Sequence, residues 1–427
     1  MLKKILSTFS AQLLSGLIGI LIIVLTARYL GAEGRGVISI LVFNISLILM
    51  FNNFVGGGAL VYLTSRENFG RLITASYLWA LISALGVSAL LTFSGLSPDN
   101  FAVHLFLLSL INAINGVNTN ILVGQERLHE RNISLVVQGV IQLVVFYSIL
   151  QWLDERSVMS FINALYAAYL ASFVLSSIFL LKKKGQIVSR GLAAVTKSLF
   201  SYGFYVQAGG LIQLLNFRFS YYLVEKFHGV AVLGVYSTGI SLIEGLWIIS
   251  RSISLVLYAR ISNNNDADAG RLLTIRLIKF TFVITFLCLL PLLLIPTDVY
   301  AAIFDGHEFG EIKSVFLYLA IGTVMFSASA MLSAYMSGTG QFQVNTRASL
   351  IGLIATVALG FWLIPTYGML GAGFTASASY LVTVLYQGYE FCKRSGTNLG
   401  EFMPKQHDFQ SVQNEIQAFL VRGKYKL

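Results

Sequence analysis

The chain has 427 residues, of which 11% are charged and 56% are hydrophobic, whereas about 25% of the residues of an ordinary soluble protein are charged. A water-soluble fold with so few polar side chains would expose very large apolar patches, so the composition indicates an integral membrane protein. The same arithmetic excludes a large soluble catalytic domain. The net charge of +10 is typical of cytoplasmic loops beside anionic lipid, and no nucleic-acid partner is expected.

Twelve apolar stretches, each about long enough to cross a bilayer, follow one another along the chain. The first exceeds the length of a signal-peptide core and is predicted to be a retained span. Six stretches precede the basic run KKKGQIVSR and six follow it. We therefore predict an all-α polytopic membrane protein with twelve transmembrane helices. The helices are predicted near residues 6–27, 37–63, 72–95, 101–123, 133–153, 157–181, 201–224, 230–258, 272–296, 314–336, 346–364 and 369–391.

The distribution of basic residues tests this count. Of the 29 Lys and Arg residues, 22 fall in loops and tails on one side, five fall on the other side, and two, Arg218 and Arg251, fall inside spans. The five are Arg28, Arg35, Arg156, Lys226 and Lys313. By the positive-inside rule the richer side is cytoplasmic, so both termini are predicted to lie in the cytoplasm.

The two halves of the chain resemble each other. Gly36 and Ser39 match Gly234 and Ser237 at one constant offset, and the dipeptide Gly-Gln follows both the fourth and the tenth span. These matches predict two pseudo-symmetric six-helix lobes related by an axis along the membrane normal, around a central cavity. The predicted segments are an N-terminal lobe over 1–181, a cytoplasmic linker over 182–200, a C-terminal lobe over 201–391 and a cytoplasmic tail over 392–427.

Ionisable residues inside a bilayer are functional candidates because their insertion costs a few kcal/mol each. Arg218 is expected either to face a cavity or to extend its guanidinium to the headgroups. Glu244 lies too deep to reach water, and it is interpreted either as an ion-coupling carboxylate or as a structural contact. Arg251 lies two helical turns beyond Glu244, so an ion pair between them within one helix is not expected.

Amides and glycines are the other unusual features of the spans. Asn112 and Asn115 lie on one stripe of the fourth span. Asn52 and Asn53 lie in the second span. Each carboxamide faces either other helices or a water-filled cavity. Consecutive glycines weaken a helix by about 1 kcal/mol each relative to alanine, so a hinge or tight helix packing is expected at Gly56, Gly57 and Gly58.

Several enzymatic signatures are missing from the sequence. The chain has no GxxxxGK[ST] and no HExxH, and its five histidines are scattered singly. Cys288 and Cys392 have neither CxxC spacing nor a local His partner, so no metal site is expected. The acidic outer loop TDVYAAIFDGHEFGEIK around His307 is too short to form a catalytic pocket alone. We therefore expect a protein that is not an enzyme and needs no cofactor.

Three segments carry a resemblance to a known family. LTARYLGAEGRGVISI, LLNFRFSYYLVEKFHGVAVLGVYSTGISLIEGLWIISRSI and LIPTYGMLGAGFTASASYL resemble bacterial oligosaccharide-lipid flippases of the O-antigen (Wzx) type. Those proteins form part of the multidrug/oligosaccharidyl-lipid/polysaccharide exporter superfamily. The resemblance covers the membrane domain but not the tail after Cys392. It implies that substrate passes between two lobes through a hydrophilic, often cationic, cavity.

The expected function is the transfer of an undecaprenyl-diphosphate-linked oligosaccharide from the cytoplasmic to the periplasmic leaflet by alternating access. The candidate cavity residues are Arg28, Asn52, Asn53, Asn112, Asn115, Gln213, Asn216, Arg218 and Arg251. The membrane potential supplies about 2.3 kcal/mol per charge per 100 mV, and a proton or sodium gradient acting through Glu244 is the alternative energy source. Expected partners are the lipid-linked glycan, membrane lipids and the polysaccharide polymerase machinery.

The sequence leaves two other functions open. A cation-coupled drug exporter of the same superfamily would share the fold but should carry carboxylates in its cavity. A membrane glycan polymerase or ligase would need a large periplasmic loop. In the tail, an apolar stripe predicts either an interfacial helix on anionic lipid or a disordered segment. The stripe consists of Phe409, Val412, Ile416, Phe419 and Leu420.

Overall fold

The structure, a computed structural model, describes residues 2–64, 66–98, 100–181, 192–262 and 267–402. Every regular element within those ranges is helical. Nine helical segments of these ranges are long and apolar enough to cross a membrane. The chain is thus a multi-pass membrane protein. The predicted tail helix at residues 409–420 lies outside the described residues.

Twelve α-helices follow one another along the described ranges. They are α1 (Leu2–Gly56), α2 (Gly58–Leu63), α3 (Phe69–Phe93), α4 (Ala102–Gly124), α5 (Leu128–Ser148), α6 (Val158–Leu181), α7 (Leu192–His228), α8 (Val230–Ser262), α9 (Ala267–Leu294), α10 (Thr297–Phe304), α11 (Ile312–Gly338) and α12 (Phe342–Ser395). Single helical turns at Ile149–Leu153, His307–Glu311 and Leu399–Phe402 complete the fold.

Two of these helices are far longer than a bilayer is thick. At 1.5 Å per residue α1 and α12 would each extend roughly 80 Å if straight, but each is interrupted by a glycine. Gly31 has φ 67° and ψ −176°, and Gly368 has φ 57° and ψ −133°. A side chain would strain such left-handed backbone. Each helix therefore has two arms, over residues 2–30 and 32–56 in α1 and over 342–367 and 369–395 in α12.

The glycine run at the end of α1 interrupts the helix. Gly57 has φ −96° and ψ −135°, which ends α1 and starts α2. The Asn120 side chain of α4 donates a 2.7 Å hydrogen bond to the freed carbonyl of Gly56. A Cβ on Gly57 would lie 2.8 Å from the amide nitrogen of Gln207 in α7. The run thus provides both a break and a close helix approach, while Gly58 is exposed.

Helix α7 contacts both halves of the molecule. It begins at Leu192, inside the linker predicted over residues 182–200. Its first turns pack on α2, on α3 and on the end of α1. There the Phe200 ring lies 5.9 Å from Phe54 of α1 and 5.5 Å from Trp79 of α3 between ring centroids. Its later turns pack on α12 and belong to the hydrophobic core formed mainly by α7–α12. A second core lies among α1 and α3–α6.

The repeat-equivalent residues Gly36 and Gly234 both lie where α1 packs against α8. A Cβ on Gly36 would overlap the carbonyl oxygen of Val230, and a Cβ on Gly234 would overlap the carbonyl oxygen of Ala32. The two contacts are reciprocal. The sequence offset that matches Gly36 with Gly234 also matches Ala32 with Val230, so each contact is the repeat equivalent of the other. Only glycine permits this backbone approach at both places.

Ser39 and Ser237 lie on the same line of contact. Their Oγ atoms are 2.7 Å apart and buried. Because these residues are equivalent at the same offset as the two glycines, their hydrogen bond joins matching points of the two helices. The α1–α8 contact therefore has the geometry of a local two-fold relation.

The second predicted match is displaced. The turn after α4 donates from Arg127 N to Leu122 O, and the turn after α11 donates from Gln341 N to Met336 O. Glu126 and Gly340 hold the left-handed positions of these turns, with φ 58° and 78°. The two turns therefore correspond when Glu126 is matched with Gly340. The equivalence drawn from the two Gly-Gln dipeptides matches Gly124 with Gly340 instead, and it is wrong by two positions.

Candidate functional site

A cavity of about 610 Å³ lies among α7, α8, α11 and the start of α12. Among the residues that the structure describes, its wall contains one cation, Arg251, and one amide, Gln213, and no acidic residue. The remaining lining residues are either aromatic and aliphatic or hydroxyl-bearing. They are Phe217, Trp247, Ser250, Ser254, Leu255, Tyr258, Phe326, Ser327, Ser329, Ala330, Ser333, Ala334, Ser337 and Phe342.

Three hydroxyl groups of the wall come from a four-residue repeat in α11. In MFSASAMLSAYMSG, Ser329, Ser333 and Ser337 recur every four residues, so they form one stripe facing the cavity. A side chain of α12, Gln387, fixes the orientation of Ser329 and Ser333. Ser329 donates a 2.7 Å hydrogen bond to Gln387 Oε1, and Gln387 Nε2 donates to Ser333 Oγ at 2.9 Å.

Helix α8 supplies the opposite wall. The Ser250 hydroxyl is buried and has no hydrogen-bond partner among the described residues. A buried hydroxyl without a partner costs about 1–3 kcal/mol, so it is suited to a polar ligand. Arg251 is exposed, and no carboxylate of the described ranges forms a salt bridge with it. Its guanidinium is the cation available to a bound anion.

Aromatic rings close one end of the cavity. Trp247 lies 4.8 Å from Phe326 and 5.9 Å from Phe217 between ring centroids. The Trp247 indole donates a 3.2 Å hydrogen bond to the Thr323 carbonyl, which fixes the ring. Tyr380 packs behind the cluster, 4.9 Å from Phe326. The cavity therefore combines rigid aromatic faces, a row of hydroxyls and one guanidinium.

Arg218 and Glu244 lie next to the cavity and bind each other. Their two guanidinium nitrogens and two carboxylate oxygens form parallel hydrogen bonds, each 2.6 Å long. The side chains are 20% and 18% exposed, and the guanidinium also lies 5.1 Å above the Tyr221 ring. Arg218 thus neither extends to the headgroups nor offers a free positive charge, and the partner of Glu244 is Arg218 rather than Arg251.

Arg35 is a third charged residue near this pair. It is buried, although the sequence predicts a loop at this position. Its Nη2 donates a 3.5 Å hydrogen bond to Ser241, and its Nε has no partner among the described residues. Arg218 and Tyr221 are its electrostatic neighbours. Two guanidiniums and one carboxylate therefore meet where α1 packs against α7 and α8.

The neighbouring candidates on α7 divide between two surfaces. Gln213 lines the cavity and accepts a 3.2 Å hydrogen bond from Ser349. Asn216 is buried against both arms of α12. Its side-chain oxygen, Oδ1, accepts hydrogen bonds from Thr356 at 2.6 Å and from Ser379 at 2.7 Å. Asn216 is therefore a contact between helices in this structure and not part of the cavity wall.

The asparagines of α4 also bond to other helices. Asn115 is buried, donates to Ser172 at 3.0 Å and accepts from Ser176 at 2.9 Å, both on α6. Asn112 is hydrogen-bonded to Tyr169, which also lies on α6. Of the two alternatives for this stripe, helix packing and a cavity, these contacts favour packing.

The other candidates of the N-terminal half are placed differently from one another. Asn52 is buried, and its amide donates a 3.5 Å hydrogen bond to the Ala113 carbonyl. Asn53 is half-buried, and its carbonyl accepts from Gly57 N at 3.1 Å. Arg28 is exposed near the end of the first arm of α1. None of these residues lines the cavity.

The acidic loop around His307, described over residues 297–311, does not assemble a metal site. The segment around His307 forms α10 and one helical turn. Within the described ranges, no group of three or more His, Cys, Asp or Glu residues is arranged to hold a metal ion.

Two curated relatives align with most of the chain, whereas no protein-family model matches it. The capsular polysaccharide biosynthesis protein CapF of Staphylococcus aureus is 24% identical over 368 residues, which cover 77% of this chain and 90% of that protein. A putative O-antigen transporter of Shigella flexneri is 22% identical over 390 residues, which cover 84% of this chain and 90% of that protein.

Solved structures with the same fold are transporters. The lipid II flippase MurJ in an inward closed conformation superposes with a TM-score of 0.74 at 14% identity, covering 92% of this chain and 88% of its own. An inward-facing multidrug resistance MATE transporter of the MOP superfamily superposes with a TM-score of 0.70 at 14% identity, covering 91% and 94%. The chain therefore has the same fold as these two transporters, and the resemblance drawn from the sequence is confirmed.

Proposed function

We propose that this chain is a flippase that moves an undecaprenyl-diphosphate-linked oligosaccharide from the cytoplasmic to the periplasmic leaflet by alternating access. The observation that carries the proposal is the composition of the cavity, whose described wall residues offer one guanidinium and many hydroxyls and include no carboxylate. The names of the two relatives, which refer to capsular polysaccharide and O-antigen, support the same class of cargo.

The cavity chemistry matches the parts of such a substrate. A guanidinium grips phosphate oxygens at two points, so Arg251 is suited to the diphosphate. The hydroxyls of Ser329, Ser333 and Ser337 both donate and accept hydrogen bonds, which replaces the water that sugar hydroxyls lose. The Trp247 and Phe326 rings supply flat apolar faces for sugar rings. The prenyl tail remains in the lipid.

We propose twelve spans in two six-helix lobes, with both termini in the cytoplasm of a bacterial inner membrane. Dividing α1 at Gly31 and α12 at Gly368, and adding α7 to the nine apolar segments, supports this count. The reciprocal α1–α8 contact supports a pseudo-two-fold relation between the lobes. In this orientation the cavity lies toward the cytoplasm, because it extends to the end of α8 and the start of α12.

Alternating access requires the α1–α8 contact to separate. Ser39 and Ser237 lie on the periplasmic side of the proposed topology, so a disulfide between them should hold that side closed. In a Cys288→Ser, Cys392→Ser background, Ser39→Cys with Ser237→Cys should cross-link under mild oxidation and stop export, and a reductant should restore it. Export that continues in the cross-linked protein would contradict alternating access across this contact.

The break at Gly57 is the proposed bending point at the cytoplasmic side.

The energy source is the membrane potential in this proposal. A proton or sodium ion acting through Glu244 is the alternative, and it would have to compete with Arg218 for the carboxylate. A drug exporter for cations is less well supported, because no carboxylate is found among the lining residues that the structure describes. We propose no enzymatic activity, and the polymerase that joins exported units is a proposed partner.

The leaflet that holds the lipid-linked oligosaccharide tests this function. A strain without the protein should accumulate the intermediate in the cytoplasmic leaflet, and expression of the chain should move it to the periplasmic leaflet. Periplasmic accumulation of unpolymerised units in the deletion strain would instead identify a polymerase. Unchanged leaflet distribution in both strains would contradict the proposal.

A further inference from the structure

Arg35 is a buried cation that forms no salt bridge within the described ranges. It lies on the second arm of α1 and is 8% exposed. Its Nη2 donates to Ser241 of α8 at 3.5 Å, whereas such bonds are usually about 2.7–3.2 Å long. Its Nε has no partner in the part of the chain that the structure describes. Because buried charges in proteins are normally neutralised by an opposite charge, this guanidinium is suited to an anionic ligand.

The carboxylate of the same cluster is bound to another arginine. Both oxygens of Glu244 accept 2.6 Å hydrogen bonds from Arg218. Tyr221 interacts electrostatically with this pair and with Arg35, so the four side chains form one cluster. Two guanidiniums and one carboxylate leave the cluster with a surplus positive charge. That charge attracts an anion and repels a cation.

The Arg35 guanidinium lies between the α1–α8 contact and the cavity. Its partner Ser241 is one helical turn beyond Ser237, which meets Ser39 in that contact. Ser241 also lies ten residues before Arg251 of the cavity wall. At 1.5 Å per residue, these separations along α8 correspond to roughly 6 Å and roughly 15 Å. A ligand that leaves the cavity toward the periplasm therefore reaches Arg35 before it passes the contact.

We propose that Arg35 is a second phosphate site, which binds the diphosphate of the cargo after the α1–α8 contact has separated. Arg251 holds the diphosphate first, at the cytoplasmic side. This assignment rests on the proposed function and deepens it, because it places one guanidinium on each side of the transport path. The ligand class is a diphosphate ester, whose oxygens match the two parallel hydrogen bonds that a guanidinium donates.

Separation of the two helices frees Arg35 but not Arg218. Arg218 and Glu244 lie on α7 and α8, whose buried side chains share one hydrophobic core, so their ion pair stays together. Arg35 lies on α1, and its hydrogen bond to Ser241 crosses the contact. Opening the contact breaks that bond and lets a ligand reach the guanidinium. In the closed structure the same contact covers the site.

Inorganic pyrophosphate tests the second site without the cargo. The protein is the full chain purified in detergent, with Cys288→Ser and Cys392→Ser. Arg251→Gln removes the first site, and Ser241→Cys places a reporter thiol beside Arg35. N-ethylmaleimide should label this thiol when the contact opens. At a pyrophosphate concentration ten times Kd, labelling should be about tenfold slower, and the further change Arg35→Gln should abolish the slowing.

The matched control is Arg156→Gln, which removes an exposed arginine that is paired with Asp154. It should leave the slowing by pyrophosphate unchanged. Equal slowing with and without Arg35→Gln overturns the assignment to Arg35, and no slowing in any variant overturns the anion site. A reporter thiol that is never labelled shows that the contact stays closed, which also overturns the proposal.

A purely structural role of Arg35 predicts a different pattern. If the guanidinium only holds α1 against α8, Arg35→Gln speeds labelling in the absence of pyrophosphate, and pyrophosphate does not slow labelling of the parent protein. That pattern overturns the proposal. Arg35→Lys is the conservative comparison. It should keep part of the slowing, because an ammonium retains the charge but lacks the planar fork.

The disulfide-closed protein separates the two sites. With Ser39→Cys and Ser237→Cys cross-linked, undecaprenyl diphosphate should bind to Arg35→Gln as tightly as to its parent, whereas Arg251→Gln should raise Kd about tenfold. A raised Kd in cross-linked Arg35→Gln would overturn the assignment to the outward-open state. In cells at matched protein level, Arg35→Gln should reduce export about tenfold, and wild-type export would overturn its role in transport.

The leaflet assay distinguishes the second site from the cargo. If the chain does not change the leaflet distribution while pyrophosphate still slows labelling through Arg35, the proposed cargo is wrong and the anion site is supported. If the chain moves the lipid-linked oligosaccharide but pyrophosphate has no effect on labelling, the flippase is supported and the second phosphate site is overturned.

Discussion

The Arg218–Glu244 pair predicts a large coupling energy that a double-mutant cycle can measure. Two charge-assisted hydrogen bonds are worth about 1.5–3 kcal/mol each. Because the side chains are 20% and 18% exposed, solvent screening lowers their sum. We expect a coupling energy of about 2–3 kcal/mol. Glu244→Gln alone should lower the free energy of unfolding by about 3 kcal/mol, since it leaves a half-buried guanidinium without its counter-ion.

The assay is equilibrium unfolding in mixed detergent micelles of the wild type, Arg218→Gln, Glu244→Gln and the double variant. The exposed pair of Arg156 and Asp154, joined at 3.0 Å with side chains 58% and 78% exposed, provides the control cycle. Its coupling energy should be about 0.5 kcal/mol or less. Asp154 has a positive φ of 48°. Asp154→Asn suits the control because asparagine tolerates left-handed backbone.

The same four proteins separate a structural role from substrate binding. If Arg218 only neutralises Glu244, the double variant should export better than either single variant. A coupling energy no larger than that of the control pair would refute the reasoning about the buried ion pair. Export that is lost equally in the double variant and in Arg218→Gln would show that the guanidinium also acts on the substrate.

Two further predictions follow from the helix contacts and the topology. A Cβ on Gly234 would overlap the Ala32 carbonyl, whereas a Cβ on Gly86 meets nothing. Gly234→Ala should therefore destabilise the protein by about 2 kcal/mol or more, and Gly86→Ala should have little effect; thermal unfolding checks this, and equal results would contradict the contact. Asp154→Cys should react with an impermeant maleimide in intact cells and Arg127→Cys should not, and the reverse pattern would contradict the proposed orientation.

Composition predicts the all-helical membrane class well, because it depends on a property that every segment shares. Long apolar stretches identify the membrane class without knowledge of helix contacts. The match of Gly36 with Gly234 is informative because a glycine pair at equivalent positions is needed for close backbone contact. The Gly-Gln match fails because dipeptide identity does not report which residue takes the left-handed position, here Glu126 and Gly340.

The site is harder to predict because a sequence gives the faces of one helix but not the neighbours of those faces. Asn216 and Arg218 are two residues apart, about 200° around the helix, so they cannot share one wall. Gln213 and Phe217 are four residues apart, so they lie on the same face of α7, and both line the cavity. The sequence alone carries this argument. It does not carry the pairing of Arg218 with Glu244, since that pairing depends on the packing of α7 against α8.

Hydroxyl residues are the signal that the sequence analysis misses. Serine is common in membrane helices and is not among the polar candidates, although Ser329, Ser333 and Ser337 recur at helical spacing. The sequence assigns Arg35 to a loop because it lies between the apolar stretches at residues 6–27 and 37–63. The structure instead continues the helix through it and buries the guanidinium.

The central claim, that the guanidinium of Arg251 receives the anionic headgroup, is tested most directly by export from cells at matched protein level. Arg251→Gln should reduce export about tenfold or more, because a charge-assisted hydrogen bond of about 1.5–3 kcal/mol is lost, and Arg251→Lys should restore part of it. Arg260→Gln, which removes an exposed arginine of the same helix outside the cavity, should export as the wild type does. Wild-type export by Arg251→Gln would contradict the account.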